Sequence, residues 1–188
     1  MPVKLFVGML SPETGLFDIC TELLRAEYGP IDHQSEPVQW DATNYYRDEM
    51  GRGILRSFIF FERLVDPAML SMVKHLTNRI EAGFTVGSGT SVRRRINLDP
   101  GYVTEAKVVL ASTKDYSHRI YLCEGIYAEV TLHYSTREKT FLPLEYTYPD
   151  FRTKESMDLF RKARELLRAT LRGSAFALEA SKRFITYA

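Results

Sequence analysis

A histidine and a glutamate brought near each other by one tight turn are the first chemistry this chain offers. Glu124-Gly125 is a two-residue hairpin signal between the runs Arg119–Cys123 and Ile126–Tyr134. Such a turn sets Leu122 against Tyr127, Ile120 against Glu129 and His118 against Thr131. The side chains of His118, Tyr127, Glu129, Thr131 and His133 then share one sheet face, with Glu129 and His133 both diagonal to His118. A histidine beside a carboxylate is the minimal unit for general acid–base work or for one side of a metal site. A solvated polar face carries the same residue types. The opposite face, with Arg119, Tyr121, Ile126, Ala128, Val130 and Leu132, is mostly apolar and is the expected core face. Alternation puts Arg119 opposite His118, so the two can serve one ligand only at the loop end of the strand. A one-residue slip in register dissolves the cluster.

Three further constellations bear charge. Asp99-Pro100-Gly101-Tyr102 reads as a type II turn that holds a carboxylate rigidly, suited to a divalent cation or a ligand hydroxyl, or simply closing the turn. Lys114-Asp115 follows it, and Lys114 supplies a point charge for phosphate. Arg93-Arg94-Arg95 follows the glycine-rich stretch Gly83–Ser91, which is a mobile active-site loop or a plain linker; Arg95 is taken as a phosphate or carboxylate ligand. Arg161, Arg164, Arg168 and Arg172 recur at 3-4-4 spacing, one stripe along a helix that would meet RNA or an acidic partner unless it is only solubilising. Gly87-Ser88-Gly89-Thr90 is not a phosphate-binding P-loop, and Ser112-Thr113-Lys114-Asp115 lacks the spacer of a guanine-reading motif.

The elements that must position these residues follow from local patterns. Leu5–Leu10 is a continuous apolar run, the pattern of a strand covered on both faces. Leu16, Ile19, Cys20, Leu23 and Leu24 recur at helical spacing up to Tyr28, and Gly29-Pro30 stops that helix. Ile31–Trp40 contains Pro37 and reads as an edge strand or extended arm. Leu55–Leu64 is a central strand. Asp66-Pro67 opens a helix with Leu70, Val73, Leu76 and Ile80 inward. Thr104–Ser112 reads as a short helix or a strand, and Thr140–Tyr146 as a returning strand. Thr153 caps an amphipathic helix, Lys154–Leu171, which Gly173 ends. The fold class is α+β: a single domain over 1–173, with an N-terminal βαββα half of ferredoxin-like type, an antiparallel hairpin sheet and a long C-terminal helix. Residues 174–188 form a tail.

Composition narrows the classes of function. In 188 residues, 25 Lys and Arg stand against 24 Asp and Glu, which disfavours a broad phosphate-neutralising surface but not a local patch. Cys20 and Cys123 have neither zinc nor disulfide spacing. No run reaches the roughly 18 apolar residues of a membrane span and no signal peptide opens the chain, so the expected compartment is the cytoplasm.

The stretches KLFVGMLSPE (4–13), YYRDEMG (45–51), NLDPGYVTEAKVVLASTKDYSHRIYL (97–122), GIYAEVTL (125–132) and YTYPDFR (146–152) resemble an uncharacterised bacterial family, number 4416 in the domain-of-unknown-function series. The likeness spans about Val3 to Arg172. Some members carry a GTP-binding label, and the resemblance implies no other activity. The expectation is a small enzyme or ligand-binding domain for a phosphate-bearing molecule, a nucleotide or an RNA end. His118, Glu129 and Asp99 would be catalytic, and Lys114, Asp115, Arg119, Tyr127 and Arg95 would bind ligand. Asp99 and Glu129 would hold a divalent cation. The alternatives are an RNA- or protein-binding module using the Arg161–Arg172 stripe, and GTP binding without a P-loop.

Overall fold

The computed structural model describes residues 1–40, 47–87 and 92–185, with side chains up to 173 except at 47–48. In chain order the elements are β1 (Val3–Ser11), α1 (Thr14–Tyr28), β2 (Ile31–Gln34), β3 (Val38–Gln39), α2 (Arg47–Met50), β4 (Leu55–Val65), α3 (Leu70–Gly83), β5 (Thr85–Val86), β6 (Arg93–Arg94), β7 (Asn97–Val103), β8 (Lys107–Ser112), β9 (Ile120–Cys123), β10 (Ile126–Ser135), β11 (Thr140–Pro143) and α4 (Lys154–Ile185). Nine strands form one antiparallel sheet in the order β11-β10-β8-β7-β1-β4-β2. Strand β3 also lies on β4, and β9 on β10. β1 and β7 join the two halves of the sequence into a single sheet.

β1 is buried along its whole length because the sheet is covered on both faces. Leu5, Val7 and Met9 face α1 and α3, packing with Leu16, Cys20, Leu24, Ile59 and Val73. Phe6 faces α4 and packs with Phe58, Phe60, Phe141, Phe151 and Phe160. Ring centroids in this aromatic layer lie 5.0 to 6.3 Å apart, mostly edge to face, the geometry their quadrupoles favour. Asp66 caps the turn into α3 by accepting the Ala68 N–H at 2.9 Å. Among the described residues no helix is long and apolar enough to cross a membrane.

Several expectations need correction. Asp99-Pro100-Gly101 is not a turn: it lies inside β7, paired with β1 from Lys4↔Val103 to Leu10↔Asn97. Gly173 does not end the last helix, which runs on to Ile185. An interior glycine costs about 1 kcal/mol, too little to stop a helix flanked by Leu171, Ala175 and Ala177. Ile19 and Leu23, placed inward by the helical pattern, are exposed, while Phe17 and Thr21 are buried. Thr104–Ser112 contributes the strand β8. The ends of the glycine-rich stretch pair as a small hairpin, β5 with β6. Its tip, 88–91, lies outside the described residues, as do residues 45–46 of the YYRDEMG stretch.

The β9–β10 hairpin turns at Glu124-Gly125, with Cys123 opposite Ile126, and then shifts by one residue. Tyr121, not Leu122, opposes Tyr127, and Ile120 opposes Ala128 rather than Glu129. A second irregularity lies between Val130 and Leu132 on the β8 side. That extra residue sends Leu132 into the aromatic layer under α4 and leaves His133 exposed, so the expected apolar face is split between both sides of the sheet.

Candidate functional site

The site begins where two strands part. β7 and β8 pair only over Gly101↔Leu110, Tyr102↔Val109 and Val103↔Val108. Beyond Gly101, β7 stays with β1 as far as Asn97, while β8 stays with β10 as far as Ser112↔Tyr127. Pro100 stands at the point of separation. Leu98 turns its N–H and C=O away from β1, and period-two alternation gives Pro100 the same edge. Pro100 has no N–H to offer β8, so the ladder cannot continue there. A cleft of about 600 Å³ occupies the opening.

Helix α3 finishes the edge that β8 leaves. Lys74 Nζ donates to the Leu98 carbonyl at 2.8 Å, and the Leu98 N–H donates to Glu81 Oε1 at 2.7 Å. A buried backbone pair must be satisfied, which accounts for two charged residues on the inner face of a helix. The same residues reach the cleft wall. Lys74 Nζ lies 3.4 Å from Asp99 Oδ1, and Asn97 Nδ2 donates to Asp99 Oδ2 at 2.7 Å. Arg94 on β6 donates to Glu81 Oε2 at 2.9 Å and to Asn97 Oδ1 at 3.1 Å. Its Nε and Nη2 form a two-point fork onto Glu49 of α2, at 2.6 and 2.8 Å. That fork holds the Arg94 guanidinium firmly charged and, with Glu49 receiving it, keeps the Glu49 carboxyl below the usual carboxylate range.

From the α4 side the wall is Arg56 of β4. Its guanidinium carbon lies 4.6 Å from the Phe58 ring centroid and 5.2 Å from that of Phe151, with Asp150 at 3.2 Å and Asp99 at 3.7 Å. Gly8 of β1 lies between β4 and β7 and is why this arginine can cross β1 toward Asp99. A Cβ there would stand 3.0 Å from Arg56 Nη2.

The third wall is the β8–β9 connection. Arg119 donates through Nε to Glu129 Oε2 at 2.7 Å, and through Nη1 to Ser112 Oγ at 2.5 Å and the Lys114 carbonyl at 3.1 Å. His118 Nε2 lies 3.2 Å from the same Glu129 oxygen, and Thr131 Oγ1 donates to the other at 3.2 Å. Arg119 therefore ties the 112–119 loop to β10 and fixes where Lys114 enters the cleft. Burial lowers the Arg119 proton affinity, but hydrogen bonding and charge from Glu129 outweigh it and the net shift is upward.

The family described as Domain of unknown function (DUF4416) matches residues 1–167. The chain belongs to this family. The match covers every residue of the cleft and the first part of α4, to Leu167. Curated proteins and solved structures give no match. The family thus fixes kinship, and what the site does must be read from its geometry.

The structure divides the residues picked from sequence into two groups. Asp99, Lys114 and Arg119 line the cleft. His118, Arg119 and Glu129 meet, but not as strand neighbours. A turn in which the Arg119 N–H donates to the Tyr116 carbonyl at 2.9 Å carries His118 and Arg119 to the same carboxylate, so they are not on opposite faces. His118 and Glu129 do not line the cleft, and Glu129 is fully enclosed. Its charge is taken up by Arg119, a supporting arrangement rather than a base open to a ligand. Burial first, then the Asp115 charge, pushes the Tyr127 hydroxyl up. Neither lines the cleft. Arg95 points away and pairs with Glu13; its neighbour Arg94 is the cleft residue. Among the described residues no three His, Cys, Asp or Glu side chains gather as a metal-holding group. Asp99 and Glu129 instead face separate cations.

The arginine stripe is largely engaged within the chain. Arg161 pairs with Asp158 and Glu165. Arg164 donates to the Glu105 carbonyl at 2.6 Å and lies 3.6 Å from the Tyr134 ring centroid, and Arg168 meets Glu105 at 3.2 Å. Sequence reasoning missed Arg56 and Lys74, and from the run Arg93-Arg94-Arg95 it chose Arg95 rather than Arg94. The available signal was Lys74 and Glu81 seven residues apart on α3, one position from the inward Val73 and Ile80.

Proposed function

We propose that this chain binds a phosphate-bearing ligand, a nucleotide or an RNA end, in the cleft between β7 and β8. The observation that carries the reading is the convergence of Arg56, Lys74, Arg94, Lys114 and Arg119 on one cavity whose acidic lining, among the described residues, is Asp99 and Asp150. About 600 Å³ suits a ligand of nucleotide size. Trp40 and Phe151 supply apolar wall for a ring. Arg56, Arg94 and Arg119 are clamped by carboxylates behind or beside the wall, so their donors are pre-set and little side-chain entropy is lost on binding. Lys114 brings a point charge on a flexible stem to whatever phosphate lies in the opening. Asp99, with a side chain 21% exposed and flanked by Lys74 and Asn97, is placed to accept a hydrogen bond or a proton from a ligand hydroxyl.

The test is a thermal-shift series with nucleoside mono-, di- and triphosphates of guanine and adenine, each with and without Mg²⁺, Mn²⁺ or Zn²⁺. A ligand at a hundred times its dissociation constant adds about 2.7 kcal/mol, a rise of roughly 5–11 °C for a chain of this size. The expected result is a shift that Lys114→Ala removes and that Arg164→Glu/Arg168→Glu leaves in place. A shift that survives Lys114→Ala and vanishes in the stripe variant sinks the reading, as does the absence of any shift.

A further inference from the structure

We infer that the phosphate-bearing ligand is the end of a single-stranded polynucleotide, its terminal phosphate in the cleft and the adjoining bases stacked on an aromatic ridge at the mouth. The inference rests on the phosphate-binding reading above and narrows the class of ligand.

The ridge is continuous with the cleft. Tyr116 and Tyr148 line the opening and are 47% and 36% exposed; Tyr146, outside it, is 37% exposed. Arg119 joins the first two: its guanidinium carbon is 4.6 Å from the Tyr116 centroid, and its Nη2 is 3.5 Å from the Tyr148 hydroxyl. His118 lies 6.0 Å from Tyr116 and stacks on Tyr146 at 4.1 Å with the planes 15° apart. A line of ring faces thus leads from the cationic cleft outward along the 116–119 turn to Tyr146.

The segment that presents these rings is rigid. Thr147, between Tyr146 and Tyr148, is buried, donates to the Thr131 carbonyl at 2.5 Å and accepts the Leu144 N–H at 2.8 Å. Arg152 donates to the Thr147 carbonyl at 2.7 Å, to the Leu144 carbonyl at 3.0 Å and to the Glu145 carbonyl. A buried threonine flanked by two exposed tyrosines, with its backbone tied down by one arginine, fixes a surface that the core does not need. Aromatic faces beside a cationic groove are how single-stranded nucleic acid is held without reading its sequence.

Charge placement favours an end over a continuous strand. The chain carries a net charge of only +1, and its unusual concentration of cations is in the cleft rather than along the ridge. A surface that tracks many phosphates releases many counterions, whereas a single terminal phosphate gives a salt dependence of about one ion.

The experiment measures full-chain binding to fluorescent tetranucleotides with a 5′-phosphate, with a 3′-phosphate or with neither, alongside mononucleotides. One phosphorylated tetranucleotide should bind roughly tenfold or more tightly than the mononucleotide. Tyr146→Ala should remove that advantage without changing mononucleotide affinity, and Tyr146→Phe should keep it. Mononucleotide binding unimproved by added nucleotides overturns the inference and leaves the cleft reading standing. Equal affinity of the unphosphorylated tetranucleotide also overturns it. Failure of both mononucleotide and oligonucleotide to bind overturns the two readings together.

Discussion

At Gly101, β7 packs so closely that a Cβ would stand 2.4 Å from both the Phe6 ring and the Val109 carbonyl oxygen. At Leu98, three residues earlier, the same strand edge has lost β8 and is completed by Lys74 and Glu81 from α3. The first end is closed by backbone pairing and apolar contact, which need no titratable group. The second is closed by buried charges, which cost desolvation and are stable only while every partner is present. A fold that needed only stability would have run β8 alongside β7 to its end. Keeping charged side chains in the role of a missing strand leaves room for a cavity whose walls are already polarised.

The comparison breaks most visibly at Lys74. Lys74→Met alone should cost about 3–5 kcal/mol in urea unfolding, since the Leu98 carbonyl and Asp99 lose their donor and Glu81 loses a neighbouring charge. The double variant Lys74→Met/Glu81→Met separates two explanations. If the pair were merely a buried salt bridge, replacing both members by apolar side chains would restore much of the stability. Because Leu98 then loses both backbone partners, the double variant should remain destabilised by about 2–4 kcal/mol. Recovery to wild-type stability would show that the α3 side chains do not stand in for the missing strand.

The closed end should respond to volume instead. Gly101→Ala forces either the Phe6 ring or β8 to move, an overpacking cost of about 2 kcal/mol. Ligand affinity of the folded protein should be unchanged, because the disturbance lies on the paired side of Pro100. Titration of Gly101→Ala at a temperature where it is fully folded checks this.

How far the sequence could be read divides along the same line. β1, α1, β4 and the Asp66-capped start of α3 follow from local periodicity and capping, and local patterns are what a single sequence contains. The split does not. Asp99-Pro100-Gly101 looks like a turn in isolation, and only pairing with β1, more than ninety residues away, holds it extended. His118, Arg119 and Glu129 were identifiable by residue type, but the register that joined His118 to Glu129 and set Arg119 on the other face was wrong by one because of the irregularity after Cys123↔Ile126. Arg95 looked as good as Arg94, since nothing local says which of two adjacent arginines turns inward. Arg56 sits in an apolar run whose significance depends on Gly8 in the neighbouring strand.

The smallest expected effect sharpens the comparison through pH. The Glu49 carboxyl is held below its usual range chiefly by the hydrogen bonds from Arg94. A depressed folded value contributes stability above the unfolded value of about 4.3, and that contribution is lost as pH falls through the folded one. The Glu49–Arg94 pair is partly exposed, so its share is about 1 kcal/mol. Glu49→Gln should therefore lie about that far below wild type at pH 6, and the gap should narrow as the pH falls below the unfolded value. Gly101→Ala, at the closed end, should show the same deficit at both pH values, because no ionisable group enters its cost. Denaturant unfolding of the three proteins across pH 3–6 makes the comparison. A pH-dependent deficit in Gly101→Ala would mean that the two ends of β7 are coupled, and that the charged network extends past Pro100 into the part of the sheet that backbone pairing closes.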